Sequence, residues 1–204
     1  MAIEAPSGIF LPFNIQHAYD YEAFVQLTAR MVQENTTTGP VKSESRISAT
    51  KLNLQRLNRI TKTMHLLPEW DTVDTSKTSR LSFFVISETW CGDGAQIVPA
   101  LYKIAQKLGI DMRIILRDEY PDIADQYLFR GTRSIPILVV FDQVTGKQLG
   151  VWGPKPKEAQ QIVDDAKRDG IPHDDYVITL QNWYNQNKTI SLQQELFAFL
   201  RDLL

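Results

Sequence analysis

A single cysteine, Cys91, stands among the 204 residues of this chain. It has no partner for a disulfide within the chain and cannot supply a metal site built on several thiolates. Histidine is scarce as well. His17, His65 and His173 lie far apart, so no metal centre is expected. There is no excess of positive charge: 22 Lys and Arg against 24 Asp and Glu give a formal net charge of −2. Such a balance offers no basic field for nucleic acid. No apolar run nears the roughly 20 residues of a membrane span, and no cationic start with an apolar stretch marks a secretory leader. The expectation is a cytoplasmic protein with no resident cofactor, no membrane and no nucleic-acid partner. Composition says nothing of oligomeric state.

What is present is an ordinary globular composition, 43% hydrophobic and 23% charged. The chain is long enough to bury a sizeable core. Its first 80 residues read as helical. Asp20 can cap a helix with Tyr21, Phe24, Val25, Thr28 and Met31 or Val32 on one stripe. Thr36 to Pro40 breaks it. A longer helix from about Ser45 to His65 carries Ile47, Leu54, Leu57, Ile60 or Thr61 and Met64. Pro68 stops it, and Asp71 to Arg80 reads as a loop.

The pattern changes at Leu81. Leu81 to Ser87 is a short apolar run, as expected of a strand buried on both faces. Gly94 to Leu108 has helical spacing with Gly109 as its stop. Asp111 to Asp118 alternates, and Pro121 opens a short helix to about Phe129. Ile137 to Phe141 and Lys147 to Trp152 read as a hairpin around Gly146. Pro156 opens a helix ending at Gly170. This order predicts a parallel pair joined by a crossover, an antiparallel edge and helices on both faces of a mixed sheet. Residues 171–204 read as helical again. Tyr176, Leu180, Trp183 and Tyr184 mark one helix. Ser191 with Gln194 suggests the capping box of another. The reading is thus a helical extension over 1–80, an α/β domain over 81–170 and a helical extension over 171–204.

Chemistry concentrates at Trp90-Cys91-Gly92-Asp93-Gly94, between the first strand and its helix. A cysteine at a helix N-terminus has its thiolate favoured by the dipole and by unpaired N–H groups. That predicts alkylation faster than free cysteine at neutral pH. The bland alternative is an inert buried cysteine. Some 45 residues on, Ser134-Ile135-Pro136 precedes an apolar strand. A cis peptide there would turn the preceding backbone outward, able to pair with an extended chain; an ordinary trans proline is the alternative.

The Trp-Cys-Gly turn, its helix, the Arg133-Ser134-Ile135-Pro136 segment and the Gly146 hairpin resemble the thioredoxin superfamily over about residues 81–169. With its helical extensions the chain is similar to thioredoxin-like proteins of bacteria. The resemblance implies a thioredoxin-like α/β fold. It makes Cys91 the attacking cysteine, Trp90 its aromatic wall and Pro136 the cis proline beside it. Gly92, Asp93, Gly94 and Ile135 would shape the binding surface. Two departures stand out. Gly94 replaces the second, resolving cysteine of Cys-X-X-Cys, with Asp93 where proline is usual. Val85 replaces the buried carboxylate six residues before the first cysteine. A peroxide-reducing site of this fold would carry Thr or Ser three residues before the cysteine, where Glu88 stands.

A dithiol cycle within one chain is therefore impossible. Cys91 could still form a mixed disulfide with a protein or low-molecular-weight disulfide, released by an outside thiol. Asp93 opposes thiolate formation, yet it also reads as a helix cap with Gln96 as its box partner. Three readings stay open: a single-cysteine thiol–disulfide oxidoreductase, a non-catalytic protein-binding module of the same fold, and a resolving-cysteine variant of a dithiol enzyme. Asp118, Glu119, Asp122 and Asp125 read as acids at a helix start. Lys155 and Lys157 read as a solvated face, with guidance of an anionic partner as the alternative.

Overall fold

The computed structural model describes residues 17–204; the first sixteen residues of the segment expected to be helical lie outside them. Asp20 caps α1 (Tyr21–Gln33), its carboxylate accepting from the Ala23 N–H at 2.7 Å. The buried stripe is Tyr21, Phe24, Leu27 and Thr28. α2 (Glu44–Thr63) is capped by Ser43. Its buried face mixes Ile47, Leu57 and Ile60 with the polar Thr50 and Asn53, which apolar periodicity does not register. The stretch expected as a loop after Pro68 instead holds a 3-10 turn (Pro68–Thr72) and the single helical turn α3 (Thr75–Thr78). Trp70 anchors the turn and is 1% exposed.

β1 (Leu81–Ser87) is buried along its whole length. It leads into α4 (Gly92–Leu108), which Gly109 ends in the left-handed conformation. β2 (Asp111–Leu116), the short α5 (Pro121–Ala124) with a 3-10 turn (Asp125–Tyr127), β3 (Ile137–Asp142) and β4 (Gln148–Trp152) follow. The sheet order is β2-β1-β3-β4, with β1 and β2 parallel and the other two pairings antiparallel. The mixed α/β architecture is the one its element order requires, because a parallel pair needs a crossover helix and α4 supplies it. The bridge between Tyr19 and Ile114 covers the outer edge of β2.

Period two along β1 divides the core. Leu81, Phe83 and Val85 face the larger cluster with α1, α2, α4 and the last helix; Phe84 and Ile86 face a smaller one with Cys91, Ile115, Tyr127 and Ile135. α6 (Lys157–Arg168) and α7 (His173–Asn187) pack on each other through Ala159, Val163, Leu180 and Tyr184. α8 (Ile190–Arg201) adds Leu192, Leu196 and Leu200 to the larger cluster. Residues before 80 and after 171 thus share one core with β1 and α4.

The capping box expected at Ser191 is absent. α8 starts at Ile190 after Thr189 in the left-handed conformation, and the Ser191 hydroxyl donates to Glu158 at 3.1 Å. Gln193 of α8 does more. Its Oε1 accepts from the Leu67 N–H at 2.9 Å and the Trp70 Nε1–H at 3.2 Å, and its amide donates to the His65 carbonyl at 3.1 Å.

Candidate functional site

β1 ends at Ser87, and the chain turns through Glu88-Thr89-Trp90 before α4 begins. Cys91 is the N-cap of α4: its Sγ accepts from the Gly94 N–H at 3.2 Å. The thiol in turn faces the Ile135 carbonyl at 3.4 Å, so it can donate there. The peptide after that carbonyl, Ile135–Pro136, is cis. Asp93 is therefore not the cap expected of it, because the sulfur already occupies that place. Its carboxylate instead accepts from the Tyr184 hydroxyl at 2.7 Å and pairs with Lys155 at 3.2 Å. Gln96, the expected box partner, donates to Gln181 at 3.2 Å.

Cys91 is 6% exposed. Burial, and then the Asp93 carboxylate, push its thiol up to about 12, against the Gly94 N–H and Lys155, which pull it down. Both effects oppose the thiolate expected at the helix end, because desolvation disfavours the charged form of a buried sulfur. Tyr184 is also driven well above its usual range, by burial and by Asp93. Lys155 does not sit on a solvated face; its side chain is 11% exposed and belongs to this cluster.

On the other flank a buried polar network backs the turn. Glu88, 1% exposed, accepts from the Thr38 hydroxyl and from the Asp118 N–H at 2.8 Å. Burial raises its carboxyl above the ordinary range. Asn53 of α2 donates to the Thr89 carbonyl at 2.9 Å, and Thr37 and Thr50 share a bond at 2.6 Å. Gly39 lets the 36–40 turn approach closely: it has φ of +76°, and a Cβ there would lie 2.4 Å from the Asp118 carboxylate. Asp118 is not a helix-end acid; it pairs with Arg117 at 2.7 Å. Asp125 pairs with Arg133 at 2.6 Å, while Asp122 does sit in the first turn of α5. The guanidiniums of Arg46 and Arg117 lie 4.0 and 4.8 Å from the Trp90 ring centre.

Gly94 and Pro136 are buried, whereas Trp90, Cys91, Gly92, Asp93 and Ile135 line a cavity of about 670 Å³. A Cβ at position 94 would come within 2.5 Å of the Ser87 hydroxyl and 3.4 Å of the Cys91 sulfur. Ser87 Oγ is buried and has no hydrogen-bond partner among the described residues. The space a second thiol would need is thus held by this hydroxyl. Arg56, Lys155 and Tyr184, which complete the site, are contributed by α2, the loop after β4 and α7. No spacing in the sequence links them to Cys91. Among the described residues no group of three or more His, Cys, Asp or Glu is placed to hold a metal ion, and no helix is long and apolar enough to cross a membrane.

A four-stranded mixed sheet with a cysteine capping the helix after its first strand, beside a proline-started strand, defines a thioredoxin-like protein. The chain belongs to the thioredoxin family: the family profile of that description matches residues 39–167. The match reaches back from the sheet into the end of the first inter-helix turn. Among solved structures the chain is similar to a crystal structure of an HIV epitope scaffold, at 17% identity and a TM-score of 0.54, covering 91% of this chain and 93% of that one. A protein of unknown function from Pseudomonas aeruginosa shows 16% identity and a TM-score of 0.41, over 90% and 96%. The former likeness shows the fold alone. No curated protein matches the chain.

Proposed function

We propose that this thioredoxin-fold protein exchanges thiols and disulfides through Cys91 alone. The observation that carries the reading is the placement of the Cys91 sulfur, capped by the Gly94 N–H, facing the Ile135 carbonyl and lining the cavity where a substrate would lie. Pro136 is the family's cis proline in this reading, and the Ile135 backbone is what a bound chain would meet. In the first step Cys91 loses its proton to water and its thiolate attacks one sulfur of a disulfide. A mixed disulfide forms, and the other half leaves as a thiolate that takes up a proton. An outside low-molecular-weight thiol then attacks the Cys91 sulfur, frees the first half and takes its place. A second molecule removes the first as their common disulfide. In balance, one substrate disulfide becomes two thiols and two outside thiols become one disulfide.

The buried thiol makes this a slow, protected centre at neutral pH. The test uses a neutral probe. The chain is incubated with bis(2-hydroxyethyl) disulfide, and the adduct is read by mass spectrometry, before and after 2-mercaptoethanol. An adduct confined to Cys91 and reversed by the thiol is expected, forming faster as pH rises. No adduct even at pH 10 would overturn the reading.

A second reading rests on one observation: the Ser87 hydroxyl fills the place of the resolving thiol. On that reading the fold is a binding module, and Cys91→Ser leaves binding of its partner unchanged.

A further inference from the structure

The cavity at Cys91 is charged against the trend of the chain. The whole sequence carries a net −2, yet Arg56, Arg117, Arg133 and Lys155 line this cavity with Asp93 as their one carboxylate among the described residues. Arg117, Arg133 and Lys155 each have an acid partner, namely Asp118, Asp125 and Asp93. Arg56 makes no close ion pair among the described residues, although the Asp93 charge acts on it at longer range. Its Nη1 donates to the Asn53 side-chain oxygen at 3.0 Å, and its guanidinium is partly buried. A Cβ placed on Gly92 would lie 3.6 Å from that same nitrogen, so the guanidinium stands beside the first residue of α4. A half-desolvated guanidinium next to the N-terminus of a 17-residue helix is a place for an anion, and the planar fork suits a carboxylate.

The walls set the size of that anion. α2 contributes Ala49, Leu52 and Arg56 on one side, and α7 contributes Val177, Leu180 and Tyr184 on the other. Segments outside the sheet thus bound the cavity on both sides. A volume of about 670 Å³ is that of a small-molecule site.

We infer that this cavity binds a low-molecular-weight thiol bearing carboxylates, with Arg56 holding one carboxylate and the ligand's sulfur turned to Cys91. This rests on the exchange reading above and names the class of its outside thiol. Two molecules of the ligand supply the two electrons, entering as thiolates and leaving as their common disulfide. Arg117 and Lys155 add to the field that draws it in, while Leu52 and Val177 flank its apolar carbons.

The test separates binding from exchange by using the full chain with Cys91→Ser and S-methylglutathione, which keeps the carboxylates and cannot exchange. Calorimetry compares it with its dimethyl ester. The acid is expected to bind at least roughly tenfold more tightly than the ester, and Arg56→Ala to remove roughly tenfold of the acid's affinity with little effect on the ester. Arg56→Lys should restore part of it, and binding should weaken as salt rises. Equal binding of acid and ester would overturn the inference, as would no binding up to about 10 mM, which is far weaker than small-molecule sites of this volume provide. The ester comparison needs no substitution at Arg56, so it decides the matter even where Arg56→Ala fails to fold. Exchange with the neutral disulfide but no binding of the acid leaves the proposed function standing and sinks the inference. Selective binding of the acid without any adduct at Cys91 sinks the exchange reading and the ligand's role as its outside thiol, and leaves only the carboxylate site at Arg56.

Discussion

Two carboxylates flank the Cys91 turn, and their surroundings differ. Glu88 lies 1% exposed among hydroxyls and a backbone N–H, with no cation in direct contact among the described residues. Asp93 lies near the cavity wall, bonded to Tyr184 and Lys155. The first ties the 36–40 turn to the site and so holds the site's frame. The second acts on the sulfur, as the direction of the Cys91 shift shows. Proximity to a thiol is thus not enough to give a carboxylate a chemical role. What matters is whether its charge is met by hydrogen bonds inside the frame or reaches the reacting atom.

Substitution should separate the two. Glu88→Ala strands the Asp118 N–H and leaves the Thr38 hydroxyl with only Thr89 as its partner, and a buried unpaired group costs about 1–3 kcal/mol. A loss of about 3 kcal/mol is expected in urea unfolding, with Glu88→Gln much milder because its amide oxygen still accepts from Asp118. A loss below about 1 kcal/mol would break the framing role. Next in size is the pH dependence of stability. The folded Cys91 thiol titrates at about 12, above the unfolded thiol. Between roughly pH 9 and 12 the unfolded chain has lost that proton and the folded chain retains it. Stability therefore falls there by up to about 1.4 kcal/mol per pH unit relative to Cys91→Ser. Parallel curves for the two proteins would contradict the buried thiol. Asp93→Asn removes a charge that opposes the thiolate, so iodoacetamide labelling at pH 8 should rise by about tenfold, while Lys155→Met should lower it by a few-fold. Equal rates in all three would erase the difference between the two acids. Smallest is Ser87→Ala. Its hydroxyl has no partner among the described residues, so the variant should match or exceed the parent by up to about 1 kcal/mol, and Gly94→Cys should be better tolerated on that background.

The sheet was legible because its strands are short apolar runs and α4 has a clean apolar stripe. Asp20 and Gly109 punctuate helices as their residue types suggest. The site was legible only along the chain. Cys91, Trp90 and Ile135 could be named from one turn and one strand start. Arg56 and Tyr184 could not, and Lys155 read as a solvated face, because charged and hydroxyl residues far apart in sequence give no periodic signal. The buried Thr50, Asn53 and Glu88 escaped for a related reason: hydropathy places polar residues outside, while these are inside because hydrogen bonds satisfy them. A helix terminus is visible in sequence, whereas the depth at which Cys91 is buried is not.

The Gln193 contact has a consequence for how the molecule comes apart. It bonds to Leu67, 126 positions away, and to Trp70. The two helical segments that flank the sheet therefore hold each other as well as the sheet. Neither can peel away without breaking buried bonds of the other, so the chain should unfold as one cooperative unit. A protease cut between 170 and 173 should leave a nicked protein that stays assembled until denaturant removes both segments together, not a free sheet domain of residues 81–170.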